Sequence, residues 1–276
     1  NSGGAVTGDF VGIDLNNADI TTSGTGAISL TGTGGNTAGD FGIDIRNDST
    51  VTSTGTAATA GSITLNGTGQ AGGNDGVHVT DAGASVGSVN GNISITGNSS
   101  ATDGVQVTVG AVVESTGTTG DAATIRIIGN GVQEGVEVSG ANAVVRSVAG
   151  NIDIDGTGTG TTGSDNIGVH VIDGGVIQST GSATVDVMGT GGNAVDTGDG
   201  VRVSAANSAI TTSSTGNIIV NGQGGSGSRQ FNRGVRVQDG GVISSTGTGA
   251  TAGTITVGGT GGASGTNDGT IELTYT

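Results

Sequence analysis

Apolar and polar residues alternate in short runs along the chain, and one run returns throughout. Gly12-Ile13-Asp14-Leu15 is followed by Gly42-Ile43-Asp44-Ile45, Gly76-Val77-His78-Val79 and Gly104-Val105-Gln106-Val107. The series continues through Gly135-Val136-Glu137-Val138, Gly168-Val169-His170-Val171, Gly200-Val201-Arg202-Val203 and Gly234-Val235-Arg236-Val237. A degenerate copy stands at Ile271-Glu272-Leu273. Alternation with a period of two places the apolar pair on one face of a β-strand. The leading glycines lie 28 to 34 residues apart, a period that marks a solenoid in which each repeat contacts only its neighbours.

Two more runs keep the same period. One places a β-branched residue two positions before Ser or Thr, as in Val51/Ser53, Val86/Ser88, Val113/Ser115, Val145/Ser147, Ile177/Ser179 and Ile210/Thr212. The other ends on glycine, as in Ile28/Leu30/Gly32, Ile63/Leu65/Gly67, Ile125/Ile127/Gly129 and Val185/Val187/Gly189. No single repeat can bury these residues alone. Stacked at about 4.8 Å per rung, they close three parallel sheets around one core. The fold expected is therefore all-β, a three-sheet parallel β-helix of about eight full rungs of 28–35 residues, forming one domain over residues 1–276. The recurrent glycine after the third strand implies either positive φ or no room for a Cβ. An inward hydroxyl left without a partner costs about 1–3 kcal/mol, so the Ser/Thr column is expected to form a hydroxyl ladder along the axis.

Partial rungs are expected at 1–11 and 269–276. Val6 and Gly8 match the tail of a third strand, while Ile271, Glu272, Leu273 and Tyr275 lie in a first strand lacking its two successors. These residues are the candidates for head-to-tail stacking of copies, or for continuation into a longer chain.

Composition narrows the function. Glycine numbers 61 with no proline and no Gly-X-Y period, which excludes collagen. The net charge of −16 repels phosphate backbones and anionic lipids, so neither nucleic acid nor membrane insertion is expected. There is no cysteine, and no apolar run reaches the ~18 residues that a spanning helix needs.

At this point the Ser-Thr-Gly corners, such as Ser53-Thr54-Gly55 and Ser179-Thr180-Gly181, followed by Ile-x-Leu strands, are telling. The chain resembles the parallel β-helix regions of bacterial haemagglutinin-like exoproteins and autotransporter adhesins. The resemblance implies a right-handed three-sheet helix with an adhesive or scaffolding role at the bacterial surface, outside the cell.

The candidate chemistry lies in the middle position of the first strand, which points outward by alternation: Asp14, Asp44, His78, Gln106, Glu137, His170, Arg202, Arg236. His78 and His170 stand three rungs apart, on the order of 14 Å, too far to share a metal, and read as solvated surface histidines. Asp14 and Asp44, on adjacent rungs, are the residues placed for Ca²⁺. Acidic residues also precede several first strands, at Asp40, Asp75, Asp103, Glu134 and Asp199, and read as solubilising carboxylates. Otherwise no cofactor is expected. His78, Asp103, Gln106, Glu134 and Glu137 mark a ligand edge where glycans would bind or be cleaved, because glycoside hydrolysis needs carboxylates about 5–9.5 Å apart. With no aromatic platform nearby, a structural, non-enzymatic role is the expectation.

Overall fold

The computed structural model describes residues 8–72, 74–162, 165–193, 197–227, 232–248 and 252–262, together with the backbone of 271–273. Within them the chain winds as a β-solenoid. Its three sheets contain nine, eight and eight strands, each strand beside the equivalent one of the next turn. The first sheet runs from Ile13–Asn16 to Ile271–Leu273, the second from Asp19–Thr22 to Val242–Ser245, and the third from Ile28–Thr33 to Ile255–Thr260. All pairings are parallel and in register, so like stacks on like. Val105 lies between Val77 and Val136, Val113 between Val86 and Val145, and Ile125 between Ile93 and Ile152. These columns form one continuous core in which Ile43, Leu65, Val107, Ile127, Ile154 and Val203 are fully buried.

The glycine at the end of the third strand is explained by close approach. A Cβ on Gly67, Gly129, Gly189 or Gly222 would lie 1.8–1.9 Å from the carbonyl oxygen of Gly76, Gly135, Gly200 or Gly234, which open the next first strand. None of the four has positive φ. The corner between first and second strands works differently, through left-handed residues such as Asn17, Asn47, Asp173 and Asp239. Asn and Asp visit that region more readily than other non-glycine residues.

The hydroxyl ladder does not form. Ser53 Oγ donates instead to Gly61 O (2.6 Å), Ser245 Oγ to Gly253 O (3.1 Å), and Ser147 Oγ to Gly150 O. Each hydroxyl reaches the carbonyl that its own corner turns inward. The hydroxyls of Ser88, Ser115 and Thr212 are buried and have no partner among the described residues.

Of the stacking candidates, Val6 and Tyr275 lie outside the described residues. Gly8 is tied to the next rung, its N–H donating to Asn36 Oδ1 at 3.0 Å. Ile271, Glu272 and Leu273 pair with Val235, Arg236 and Val237 as the last strand of the first sheet.

Candidate functional site: a covered polar row and an open trough

The outward column of the first sheet is not a solvated face. Among the described residues, a side chain from one rung covers the outward residue of the next at several places. Phe41 stacks on His78 with ring centroids 4.5 Å apart. Glu134 Oε1 lies 2.7 Å from His170 Nδ1, and Asp165 Oδ1 lies 2.9 Å from Arg202 Nη1. As a result Asp44, His170 and Arg202 are buried, and so are Asp40, Asp75, Asp103, Glu134 and Asp199. This corrects two expectations: His170 is not a solvated surface histidine, and the acidic residues before the first strands are not solubilising decoration. His78 is largely covered as well, with its Nδ1 3.0 Å from Asp44 Oδ1.

The buried carboxylates join one rung to the next. Asp75 Oδ1 accepts the backbone N–H of Asp103 (3.2 Å), Asp103 Oδ1 accepts that of Glu134 (3.0 Å), and Asp199 Oδ1 accepts that of Arg233 (3.1 Å). Thr102 Oγ1 donates to the same Asp75 oxygen. A buried carboxylate persists only when paired or hydrogen-bonded, and these side chains meet that condition through backbone donors that would otherwise be unsatisfied.

At the centre of the row, Asp103, Glu134 and Glu137 bring carboxylate oxygens within 4.8 Å of one another. Gln106 Nε2 donates to Glu137 Oε2 at 3.1 Å. Four of the five ligand-edge candidates therefore do converge, with His78 one rung away in register with Gln106. Burial pushes Asp103 up to about 10, reinforced by the charges of Glu134, Asp75 and Glu137. Burial also drives Glu134 well above the usual carboxylate range, and Glu137 adds to the effect. For Glu137 burial acts upward too, but hydrogen bonds from Ser139, Gln106 and Glu134 outweigh it and hold the group below its ordinary value. Like-charged carboxyls this close cannot all ionise. The stable arrangement keeps Glu134 protonated beside an ionised Glu137. Burial and the neighbouring Arg202 lower His170 to about 4, so it is neutral. Its Nδ1–H then donates to Glu134, while Nε2 accepts from Ser204 Oγ at 3.0 Å.

Divergent carboxyl pKa values can mark an acid–base pair, but a substrate must reach them. Glu134 and His170 are buried. The cluster's contacts are those of a clamp between rungs. Asp14 and Asp44, the residues considered for Ca²⁺, share a contact with Arg46. Arg46 contacts Asp14 Oδ2 at 2.8 Å and Asp44 Oδ2 at 3.2 Å, so its guanidinium supplies the positive charge between them.

The third sheet presents the opposite surface. Its outward residues are uncovered, and two adjoining cavities of 660 and 550 Å³ run along it, sharing Asp155 and Met188. No sequence motif pointed to this face, because its outward positions have no conserved chemistry from rung to rung.

No family model matches the chain, nor does any curated protein or solved structure.

Proposed function

We propose that this chain is an extracellular structural solenoid of a bacterial surface, non-enzymatic, working as a stalk or adhesive filament. The observation that supports the reading most directly is the use of charged groups along the first sheet. Asp75, Asp103, Glu134, His170, Asp199 and Arg202 tie successive rungs together beneath covering segments, a design suited to holding a long body rigid. The last strand of the first sheet pairs on one side only, and its other edge is where a further copy or further chain adds a strand. A heterologous contact of that kind does not close on itself, so the product is extended. A strongly acidic surface keeps such a body soluble.

Electron microscopy of the concentrated protein tests the reading. Extended fibres support self-assembly, and isolated short rods overturn it. A native intact mass well above 25.9 kDa identifies continuation into a longer polypeptide as the source of length. The second reading, glycan binding, is favoured by the open trough on the third sheet. Screening against neutral, acidic and amine-bearing polysaccharides separates the two, and release of oligosaccharides would overturn the non-enzymatic assignment.

A further inference from the structure

The trough lies over the glycine column. Gly156, Gly189 and Gly222 let the next first strand approach to a distance that any Cβ would block. Residues of one cavity span the rungs of Gly156, Gly189, Gly222 and Gly259, while the adjoining one reaches back to Ile125 and Arg126. The combined trough covers the rungs of Ile125, Ile152, Val185, Ile218 and Ile255, roughly 20 Å at the spacing of stacked strands.

Its lining is uneven in charge. Asp153, Asp155 and Asp186 face a single guanidinium, that of Arg126, and no other charged residue lines either cavity. Arg126 contacts Asp153, and it reaches Asp155 Oδ2 at 2.6 Å. Asp186 Oδ1 and Asp155 Oδ1 are turned away from solvent and have no hydrogen-bond partner among the described residues. Three carboxylates against one guanidinium leave two negative charges uncompensated. Beside them run hydroxyl and amide side chains, Thr157, Thr190, Asn221, Gln223 and Thr260. Met188, half exposed, supplies the apolar patch between the two cavities.

We propose that this trough binds an extended polysaccharide bearing free amines, laid parallel to the solenoid axis. The proposal rests on the glycan-binding reading and specifies its site and substrate class. The excess negative charge of the three carboxylates attracts the amines, and the rows of hydroxyls and amides match sugar hydroxyls repeated along a chain. The thioether of Met188 gives a pyranose face somewhere apolar to lie. A cationic peptide would gain less. Extended peptides bind by adding to a free strand edge, and the strands beneath the trough are paired on both sides apart from the terminal Ile255–Thr260. No aromatic platform lines the trough, so each sugar contributes little and affinity rises with chain length, as expected when many weak contacts act together.

The test is calorimetric titration of the full chain with oligomers of 1,4-linked glucosamine, their N-acetylated counterparts, uronate oligomers and oligolysine. Glucosamine oligomers long enough to span the trough are expected to bind about tenfold or more tighter than the acetylated series, and to weaken as salt is raised. Asp186→Asn and Asp153→Asn are each expected to weaken binding by roughly fivefold, and Met188→Ser to weaken both sugar series. Thermal melts of the variants check that the fold is intact. Equal binding of the two series, tighter binding of oligolysine, or binding indifferent to all three substitutions overturns the proposal. In the last case, sugar binding that persists keeps the glycan reading and moves its site elsewhere, whereas no binding by any sugar removes both.

Discussion

The outer faces of the first and third sheets start from the same strand grammar, inward apolar residues alternating with outward polar ones, and end as different materials. On the first sheet, Arg202 is 8% exposed, holds Asp199 at 2.7 Å and Asp165 at 2.9 Å, and sits beneath a covering segment. On the third sheet, Arg126 pairs with Asp153 and Asp155 but is 45% exposed. The same ion-pair vocabulary therefore has different energetic weight. In water the charges are screened and the side chains lose entropy on pairing. Under cover, removing one member strands the other in a medium that solvates it poorly. Substituting the two arginines separates these cases most sharply. Arg202→Met is expected to destabilise the fold by about 3 kcal/mol, by leaving the buried Asp199 with only the more distant Arg236, 3.8 Å away, to offset its charge. Arg126→Met is expected to cost about 0.2–1 kcal/mol. Denaturant unfolding of both variants measures the contrast, and equal losses would break it.

Glycine sharpens the same distinction. Gly189→Ala places a Cβ 1.9 Å from Gly200 O, so backbone must move, whereas Gly120→Ala meets nothing within 4 Å. The first is expected to cost about 1–3 kcal/mol or more, the second to stay within about 0.5 kcal/mol of the parent. Thermal unfolding distinguishes them.

The covered row should also show itself in pH dependence. The folded pKa of Asp103 is raised to about 10, so its contribution to stability is fully present below its unfolded value, about 4, and is lost as pH rises toward 10. The folded pKa of His170 is depressed to about 4. Its contribution is present above about 6.5 and is lost as pH falls toward 4. Asp103→Asn mimics the protonated acid and keeps an oxygen for the Glu134 N–H, so it is expected to flatten the alkaline limb of stability against pH. His170→Gln is expected to flatten the acid limb. Denaturation midpoints between pH 4 and 10 check both.

Much of this was legible in the sequence, and the division has a physical basis. The register of Val105 on Val77 and Val136 follows from a strand period of two and a rung period near thirty, both carried by residues that must be apolar. The glycine column was legible as a constraint with two explanations, between which the contact of Gly189 with Gly200 decides. What could not be read was which outward column is covered. Asp44, His170 and Arg202 look like surface residues because alternation assigns them outward, and outward means solvated only when nothing lies above. The covering comes from segments such as the one containing Asp165, whose lengths vary and whose conformation has no periodic signature. A signal was nonetheless present. The acidic residues placed just before the glycines at Asp75, Asp103, Glu134 and Asp199 recur in fixed register, and solubilising carboxylates have no reason to do so.

The smallest expected effects come from places where the repeat is imperfect, and they set the limit of the comparison. In the corner between first and second strands, most left-handed positions carry Asn, Asp or Gly; the exceptions among the described residues are Ala205 and Val109, and Val109, with φ of 50°, is exposed. A β-branched residue in that region crowds its own backbone, a strain of about 1–2 kcal/mol. Nothing packs on Val109 in return, since its side chain is 57% exposed. Its backbone N–H bonds to Ser139 O at 3.1 Å, a contact that any residue except proline retains. Val109→Asn, the choice made at the equivalent corner by Asn47 and at the first corner by Asn17, is therefore expected to stabilise the chain by up to about 1 kcal/mol. A rise in the denaturation midpoint with an unchanged slope would show it. A fall would mean that Val109 has a role in an assembly that the isolated chain does not display, and repeating the measurement on assembled fibres would then locate it.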